Sequence, residues 1–465
     1  MRTISRVSLL SGLVGLPLLW AGTIARADDN PPLRLMHESL EYTDVADAFD
    51  DVDPFDLNLS VGFVRSLESG TLQREDSTAA DDGRAMSHWL DVAHHEHISN
   101  TLMLGLDIGV YHDLMIYGRL PLVLNDTRKL TVPDGRSATD VNADLRSSDG
   151  EQLFSVPFES PTRSGLDWLG VGAAWAILNQ NRDRSGPTWV IGLEGRINVG
   201  EPLHACVNTA AAGTERCNRG LDAGMNGTDP GMSQGVNELR LETRGSFRYR
   251  YVEPYAGLLF RIAFPGSGEK SFLPAGSLSG IMNDLPPRVG EMTVGMGIVP
   301  WEHRGRWQRF AIDTRLTATY ISEGHSYTPL FDALGTSTNP GLTSLNYEAR
   351  DDMGMGTGRS VRFVGLTDTQ SHAQFMFRGG LEMQAAQYVR FTFGAGLGFT
   401  TAFLMTFTDA CNPNINQTAG DPRNGNCRNG IINPHYRDVV DLAGRRFRTD
   451  QEFLFDLYVS ATGQI

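Results

Sequence analysis

Lysine is nearly missing from this chain: Lys129 and Lys270 are the only two in 465 residues, so arginine carries almost all of the basic charge. The formal net charge of -15 leaves no clustered positive surface of the kind a nucleic-acid partner requires. Cysteine is scarce as well, four in all, and no two stand at the Cys-x-x-Cys spacing of a zinc site. After the first 27 residues there is no apolar run long enough for a spanning helix, which needs about 20 residues. The longest uncharged stretch, Phe391 to Phe407, alternates Phe391, Phe393, Ala395, Leu397 and Phe399 against Thr392, Gly394, Gly396 and Gly398. That period of two belongs to a strand.

What is present begins with an export signal. Arg2 and Arg6 precede an apolar core from Leu9 to Trp20, and Ala25-Arg26-Ala27 supplies small residues for cleavage after Ala27. Pro17 and the short core argue against an uncleaved anchor. Residues 28–54 form an acidic segment that includes Asp44, Asp47, Asp50, Asp51 and Asp53. We expect it to be a solvated periplasmic tail, the alternatives being a lumen plug or a docking segment for a periplasmic or envelope protein.

From residue 55 to residue 465 the pattern predicts a transmembrane antiparallel up-and-down β-barrel of about 12 strands. Each strand shows one face to lipid and the other to a watery lumen, so apolar and polar side chains take turns. In the fifth strand Trp189, Ile191, Leu193, Ile197 and Val199 share one face, and Thr188, Glu194, Arg196 and Asn198 the other. The strands are expected at Phe55 to Ser66, Thr101 to Tyr111, Leu114 to Leu124, Asp167 to Leu178, Thr188 to Gly200 and Glu238 to Arg250. The remainder are Pro254 to Phe264, Glu291 to Pro300, Arg309 to Ile321, Gln374 to Gln384, Tyr388 to Phe403 and Glu452 to Ser460. Short turns alternate with long connections, of which Leu67 to Asn100 and Leu404 to Gln451 are the first and last. This asymmetry places short turns in the periplasm and long loops outside the cell. Trp168, Trp175, Trp189, Tyr249, Tyr251, Trp301 and Tyr388 fall near strand ends, where aromatic girdles meet the membrane interface.

Four groups of residues carry chemistry worth weighing. Cys206 with Cys217 and Cys411 with Cys427 lie in two long loops and are expected to form loop-stapling disulfides in an oxidising envelope. His94, His95 and His97, with His88 and Glu96 nearby, are the densest imidazole cluster and weak candidates for a transition-metal site; solvated loop histidines are the plainer expectation. Asp421, Asn424, Asn426 and Asn429 miss the calcium-loop spacing. His325 and His372 stand beside Ser326 and Ser371, but neighbours on a strand point to opposite faces, so no catalytic role and no cofactor are expected.

The inward positions are the most informative. Asp56, Asp107, Glu194, Glu242, Glu291, Asp313, Glu382 and Asp456 face Arg119, Arg196, Arg240, Arg244, Arg248, Arg250, Arg261, Arg309, Arg315, Arg378 and Arg390. The wall thus leans positive in an acidic protein, most of all in the sixth strand with Arg240, Glu242, Arg244, Arg248 and Arg250. Two readings stand side by side: a salt-bridge network that knits the lumen, or an arginine ladder lining a pore for anionic solutes.

The segment Leu104-Gly105-Leu106-Asp107-Ile108-Gly109-Val110-Tyr111-His112-Asp113-Leu114-Met115-Ile116-Tyr117-Gly118-Arg119-Leu120-Pro121 resembles the strand-turn-strand unit of bacterial outer-membrane transporters of the phenol meta-pathway type, and Arg250 to Pro265 echoes it through Tyr251, Gly257 and Pro265. The resemblance implies a channel for small, often hydrophobic or carboxylated solutes. The expectation is an outer-membrane channel or transporter of the Gram-negative envelope, in contact with lipid and a small-molecule solute, of anionic or aromatic carboxylate type. The alternative is a non-conducting structural barrel, as in gliding motility or adhesion, that binds partners through its loops.

Overall fold

The computed structural model describes residues 39–48, 56–79, 85–209, 214–217, 230–265, 286–344, 346–347, 360–361, 363–409 and 435–464. The expected export signal at 1–27, the Cys411 and Cys427 pair and the Asp421 to Asn429 group lie outside the described residues.

Twelve strands close into one antiparallel barrel. They are β1 (Leu57–Ala79), β2 (Ala85–Tyr111), β3 (Leu114–Thr131), β4 (Trp168–Leu178), β5 (Thr188–Asn198) and β6 (Val236–Ser246), followed by β7 (Val252–Pro265), β8 (Val289–His303), β9 (Gln308–Ile321), β10 (His372–Ala386), β11 (Val389–Thr400) and β12 (Glu452–Gln464). Each pairs with its sequence neighbour, and β12 closes on β1 with Phe63 opposite Val459 and Leu67 opposite Phe455. Closure leaves no unpaired edge, which is the condition for placing a sheet in hydrocarbon.

The two-residue alternation does what its chemistry requires. Leu59, Val61, Val171, Leu193, Ile197, Leu258, Leu316, Phe377, Leu397 and Leu457 all stand exposed on the outer wall, an apolar belt suited to lipid. At the short-turn end Tyr111, Trp175, Trp189, Tyr249, Tyr251, Trp301 and Tyr388 are also exposed and ring the barrel. Trp168 is the exception among the expected girdle residues. It turns inward under the Arg196 guanidinium, 4.1 Å from the ring centre, because a cation over the indole face compensates burial in the lumen.

The first long connection is not a loop. β1 and β2 stay paired in register from Leu57 and Ile108 as far as Ala79 and Ala85, with one shift between Leu72 and Gln73. This hairpin and the end of β3 rise beyond the apolar belt and become the wall of a cap. Within the cap, Leu72, Val92, Ala93 and Leu130 of the strands pack against Val141 of the short helix α1 (Ala138–Asp144) and Leu145 at its C-cap. They also meet Leu334 of α2 (Phe331–Gly335), Leu342 of α3 (Pro340–Thr343) and Val440 of α4 (Asp438–Asp441). A single apolar core therefore joins four of the long connections at the loop end. Ion pairs fasten it: Arg446 grips Glu75 at 2.7 Å, and Arg163 meets Asp332 at 2.6 Å with both side chains almost fully buried.

Candidate functional site: the charged lumen and its plug

Residues 39–48 do not form the solvated tail expected from their acidity. They lie across the lumen at the short-turn end, with Ser39, Leu40, Thr43, Ala46 and Ala48 buried. The Leu40 amide donates to Glu253 at 3.3 Å, Thr43 shares a hydroxyl contact with Ser246 at 2.7 Å, and Ala48 pairs with the His112 backbone. Tyr42 stacks on Tyr255 with ring centres 4.2 Å apart. Ala46 packs with Met115, Tyr117, Ala174, Ala176 and Val190. The segment touches ten of the barrel's strands, β2 through β11, and so acts as a plug.

Three wall glycines make the seat. A Cβ at Gly109 would strike the Asp47 carbonyl, one at Gly257 the Tyr42 hydroxyl, and one at Gly297 the Leu40 side chain. The plug's acids then reach the far wall. Asp44 meets Arg390 at 2.7 Å, the Glu41 carboxylate accepts from Thr392 at 2.9 Å, and the Glu41 amide donates to Glu382 at 3.1 Å. Arg244 donates to the Tyr42 carbonyl at 2.8 Å.

The structure places the sequence-predicted wall residues on the lumen face and joins them in pairs. Arg119 meets Asp107 at 2.5 Å, and Arg240 bridges Glu242 at 2.9 Å and Glu194 at 3.7 Å. Arg196 holds Glu194 at 2.5 Å and Glu238 at 3.3 Å, while Arg261 adds a second hold on Glu238 at 3.5 Å. Arg244 reaches Glu242 at 3.3 Å, Arg315 meets Asp313 at 2.7 Å, Arg378 meets Asp456 at 2.6 Å and Arg309 meets Glu382 at 2.6 Å. Arg248 faces Glu253 at 3.8 Å deep at the turn end. Arg250 departs from the expected wall: β6 ends at Ser246, and Arg250 sits exposed in the following turn with a φ of 54°. Glu238 and Glu253 were not among the expected wall acids and prove to be partners of it. With those changes the positive lean of the wall disappears, and the salt-bridge network is what the geometry displays.

The network does not fill the lumen. A cavity of about 270 Å³ lies above the plug, bounded by Glu41, Tyr42, Arg244, Glu291, Arg315 and Arg378. A second, of about 330 Å³, extends toward the cap along Arg196, Arg261, Gln374, Met376 and Leu454. The two share Arg240, Leu259, Glu291, Thr317 and Arg378. The space is large enough for several waters or a small organic solute.

The histidine cluster divides once folded: His94 faces away from His95 and His97, which share the other face of β2. His94 pairs with the Ser69 hydroxyl at 3.1 Å, His95 with Glu452 at 3.2 Å, and His97 with Asp126 at 2.6 Å. Gly70 makes the His95 pair possible, since a Cβ there would lie 2.8 Å from both the imidazole and Glu452. Among the described residues no group of three or more His, Cys, Asp or Glu side chains is arranged to hold a metal ion. Cys206 and Cys217 stand directly opposite each other in a two-stranded ribbon of residues 206–209 and 214–217.

His325, for which no orienting group was expected, has one: its Nδ1 lies 2.6 Å from Asp368 inside the cap. His435 packs edge-on against it, with ring centres 5.4 Å apart. Burial, then His325 and Arg437, push the His435 imidazole down to about 3. Burial also pushes Asp441 up to about 8, with Asp368 adding to the rise. His372 instead lies flat on Phe403 at 3.8 Å.

No protein-family model and no curated protein sequence matches the chain. Among solved structures, it is similar to the COG4313 outer membrane channel from Pseudomonas putida F1, at 9% identity over 94% of this chain and 100% of that one, with a TM-score of 0.35. It is also similar to a Pseudomonas aeruginosa FadL homologue, at 8% identity, 88% and 90% coverage and a TM-score of 0.32. The beta domain of the Bordetella autotransporter Brka gives 10% identity, 86% and 98% coverage and 0.31. At these scores the likeness says nothing of what this barrel conveys.

Proposed function

We propose that this protein is an outer-membrane channel or transporter for small solutes, with a preference for anionic compounds that include aromatic carboxylates. One observation carries the reading: a closed, lipid-belted barrel encloses adjoining cavities lined by arginines, a few acids that pair with them and a few apolar side chains. Arginine's planar donors suit a carboxylate, and Leu259, Met376 and Leu454 supply apolar surface for the rest of a small organic molecule. The resemblance of the Leu104 to Pro121 hairpin to phenol meta-pathway-type transporters points the same way. In this reading the leader at residues 1–27 is removed on export and the long loops face the outside. The protein carries out no chemical step and needs no cofactor.

The test is conductance of the refolded protein in a planar bilayer, with the reversal potential measured under a salt gradient. A steady conductance with anion preference is expected. Replacing Arg240, Arg244 and Arg248 together by glutamine should weaken that preference, and an unchanged reversal potential would refute the assignment.

A second reading has an observation of its own. The lumen is covered at one end by the plug and at the other by the cap, and its arginines are paired, as suits a non-conducting structural barrel with partners at its loops. Crosslinking in intact cells separates the two, since a stoichiometric protein partner at the loops favours the second.

A further inference from the structure

We infer that Arg390 and Thr392 form a carboxylate-binding site that the chain's own plug occupies, so that a carboxylate solute and residues 39–48 compete for it. The inference rests on the channel reading and names the chemistry of its gate. Arg390 and Thr392 are two residues apart on β11 and share the lumen face. The plug meets both: Asp44 lies on Arg390 at 2.7 Å and Glu41 on Thr392 at 2.9 Å. Glu382, the wall carboxylate beside them, is held by Arg309 at 2.6 Å. When the plug leaves, Arg390 and Thr392 lose two carboxylate contacts, which a solute carboxylate restores in kind. Arg244, on the opposite wall, loses the Tyr42 carbonyl as well.

The plug sits in the lumen without being part of the barrel sheet. It joins the wall backbone by the Ala48 bridge to His112, and its seat is shaped by Gly109, Gly257 and Gly297 as well as by the Tyr42 stack on Tyr255 and the Leu40 and Ala46 contacts. Glu41 and Tyr42 also form part of the boundary of the 270 Å³ cavity. A solute in that cavity already touches the plug, and its carboxylate has to travel only to the place the Glu41 and Asp44 groups now hold. The arrangement makes the plug a mimic of the solute, released by the compound that replaces it.

The inference is tested on the full-length protein carrying Leu40→Cys and Gly297→Cys, whose side chains meet only when the plug is seated. The rate of disulfide formation between them, read by mass spectrometry of that cross-linked peptide, reports docking whether or not the barrel conducts. Benzoate should slow it by about tenfold at ten times its dissociation constant, and neutral benzamide should not. Glu41→Gln with Asp44→Asn, which leaves the barrel wall intact, should slow cross-linking without any solute. Arg390→Gln should abolish the difference between benzoate and benzamide. Equal rates in benzoate and benzamide, or unchanged cross-linking in the Glu41 and Asp44 variant, would overturn the inference. If benzoate slows cross-linking and the barrel still conducts nothing, the gate stands and the channel reading falls.

Discussion

Asp332 should be among the most costly positions to neutralise outside the barrel wall. Its two oxygens take both ends of the Arg163 guanidinium, at 2.6 Å and 2.9 Å, in a site where the side chains are 2% and 0% exposed. Arg163 has two further acceptors, the His204 carbonyl at 3.1 Å and the Pro230 carbonyl at 3.4 Å, so its donors are met only while α2 is docked. Asp332→Asn keeps the shape and removes the charge, leaving a buried guanidinium with carbonyls alone. Breaking such a pair on one side costs about 3–5 kcal/mol. At about 1.4 kcal/mol per factor of ten, the local opening of α2 should become favoured by roughly two to three and a half orders of magnitude. Hydrogen exchange followed by mass spectrometry reads this directly in the amides of residues 331–343, with the barrel strands as an internal control. The double variant Arg163→Met with Asp332→Leu should recover most of the loss, because replacing both members removes the desolvation cost together with the attraction. A change in exchange of less than tenfold in Asp332→Asn would refute the reasoning, since it would mean that the charge is compensated elsewhere.

The cap should also respond to pH through two opposed groups. His435, held near 3 against an ordinary 6.5, contributes stability that is present above pH 6.5 and lost as the pH falls toward 3. Asp441, raised to about 8 from 3.8, contributes stability that is present below pH 3.8 and lost as the pH rises through 8. The two slopes cancel between pH 3.8 and 6.5, so Asp441→Asn should expose an acid loss of up to about 1.4 kcal/mol per pH unit that His435→Asn removes. Exchange of the α4 amides from pH 4 to 8 checks it, and identical profiles in the two variants would contradict it. In the ribbon of residues 206–209 and 214–217, the facing positions of Cys206 and Cys217 predict a disulfide. Alkylation without reductant should leave both unlabelled, and their joint replacement by serine should cost the loop about 3 kcal/mol.

The barrel was legible because lipid and water impose opposite demands on alternate residues, and that pattern survives in any strand of the belt. Where the demand ceased the signal ceased. Past Ser66, β1 runs on through Glu68, Gly70, Leu72 and Arg74, whose inward neighbours are His97, Glu452 and the cap core rather than a uniform lumen. Mixed partners leave mixed residue types, so the stretch read as a loop. Trp168 was misplaced for a related reason: an aromatic at a strand end fits the interface and the underside of an arginine equally well, and only the position of Arg196 decides. The plug was hidden more deeply. Its acids read as a solvated tail because Arg390, Thr392 and Arg244 stand hundreds of residues away. The one local signal lay in the wall, where Gly109, Gly257 and Gly297 bring missing side chains to the turn end of strands otherwise rich in bulky inward groups.

The plug and the cap of this barrel are unequal, and in the proposed channel the inequality favours opening at the turn end. The cap buries Leu72, Leu145, Leu153, Leu334, Leu342, Val440 and Phe447 in one core and locks it with Arg163 and Asp332. At roughly 1.5–3 kcal/mol for each such side chain removed from water, its disassembly opposes a large apolar cost. The plug buries Leu40 and two alanines, adds the Tyr42 stack on Tyr255 and the partly buried Val45, and holds the wall otherwise through polar contacts, a smaller apolar area than the cap core. Its charged contacts are also the replaceable kind, since a solute carboxylate gives Arg390 what Asp44 gives it. In the proposed channel, a solute in the cavities meets a final barrier made of groups like its own. On the proposed gate, release toward the turn end exchanges one carboxylate for another and gives up a small apolar contact, whereas release by lifting the cap would expose its whole core.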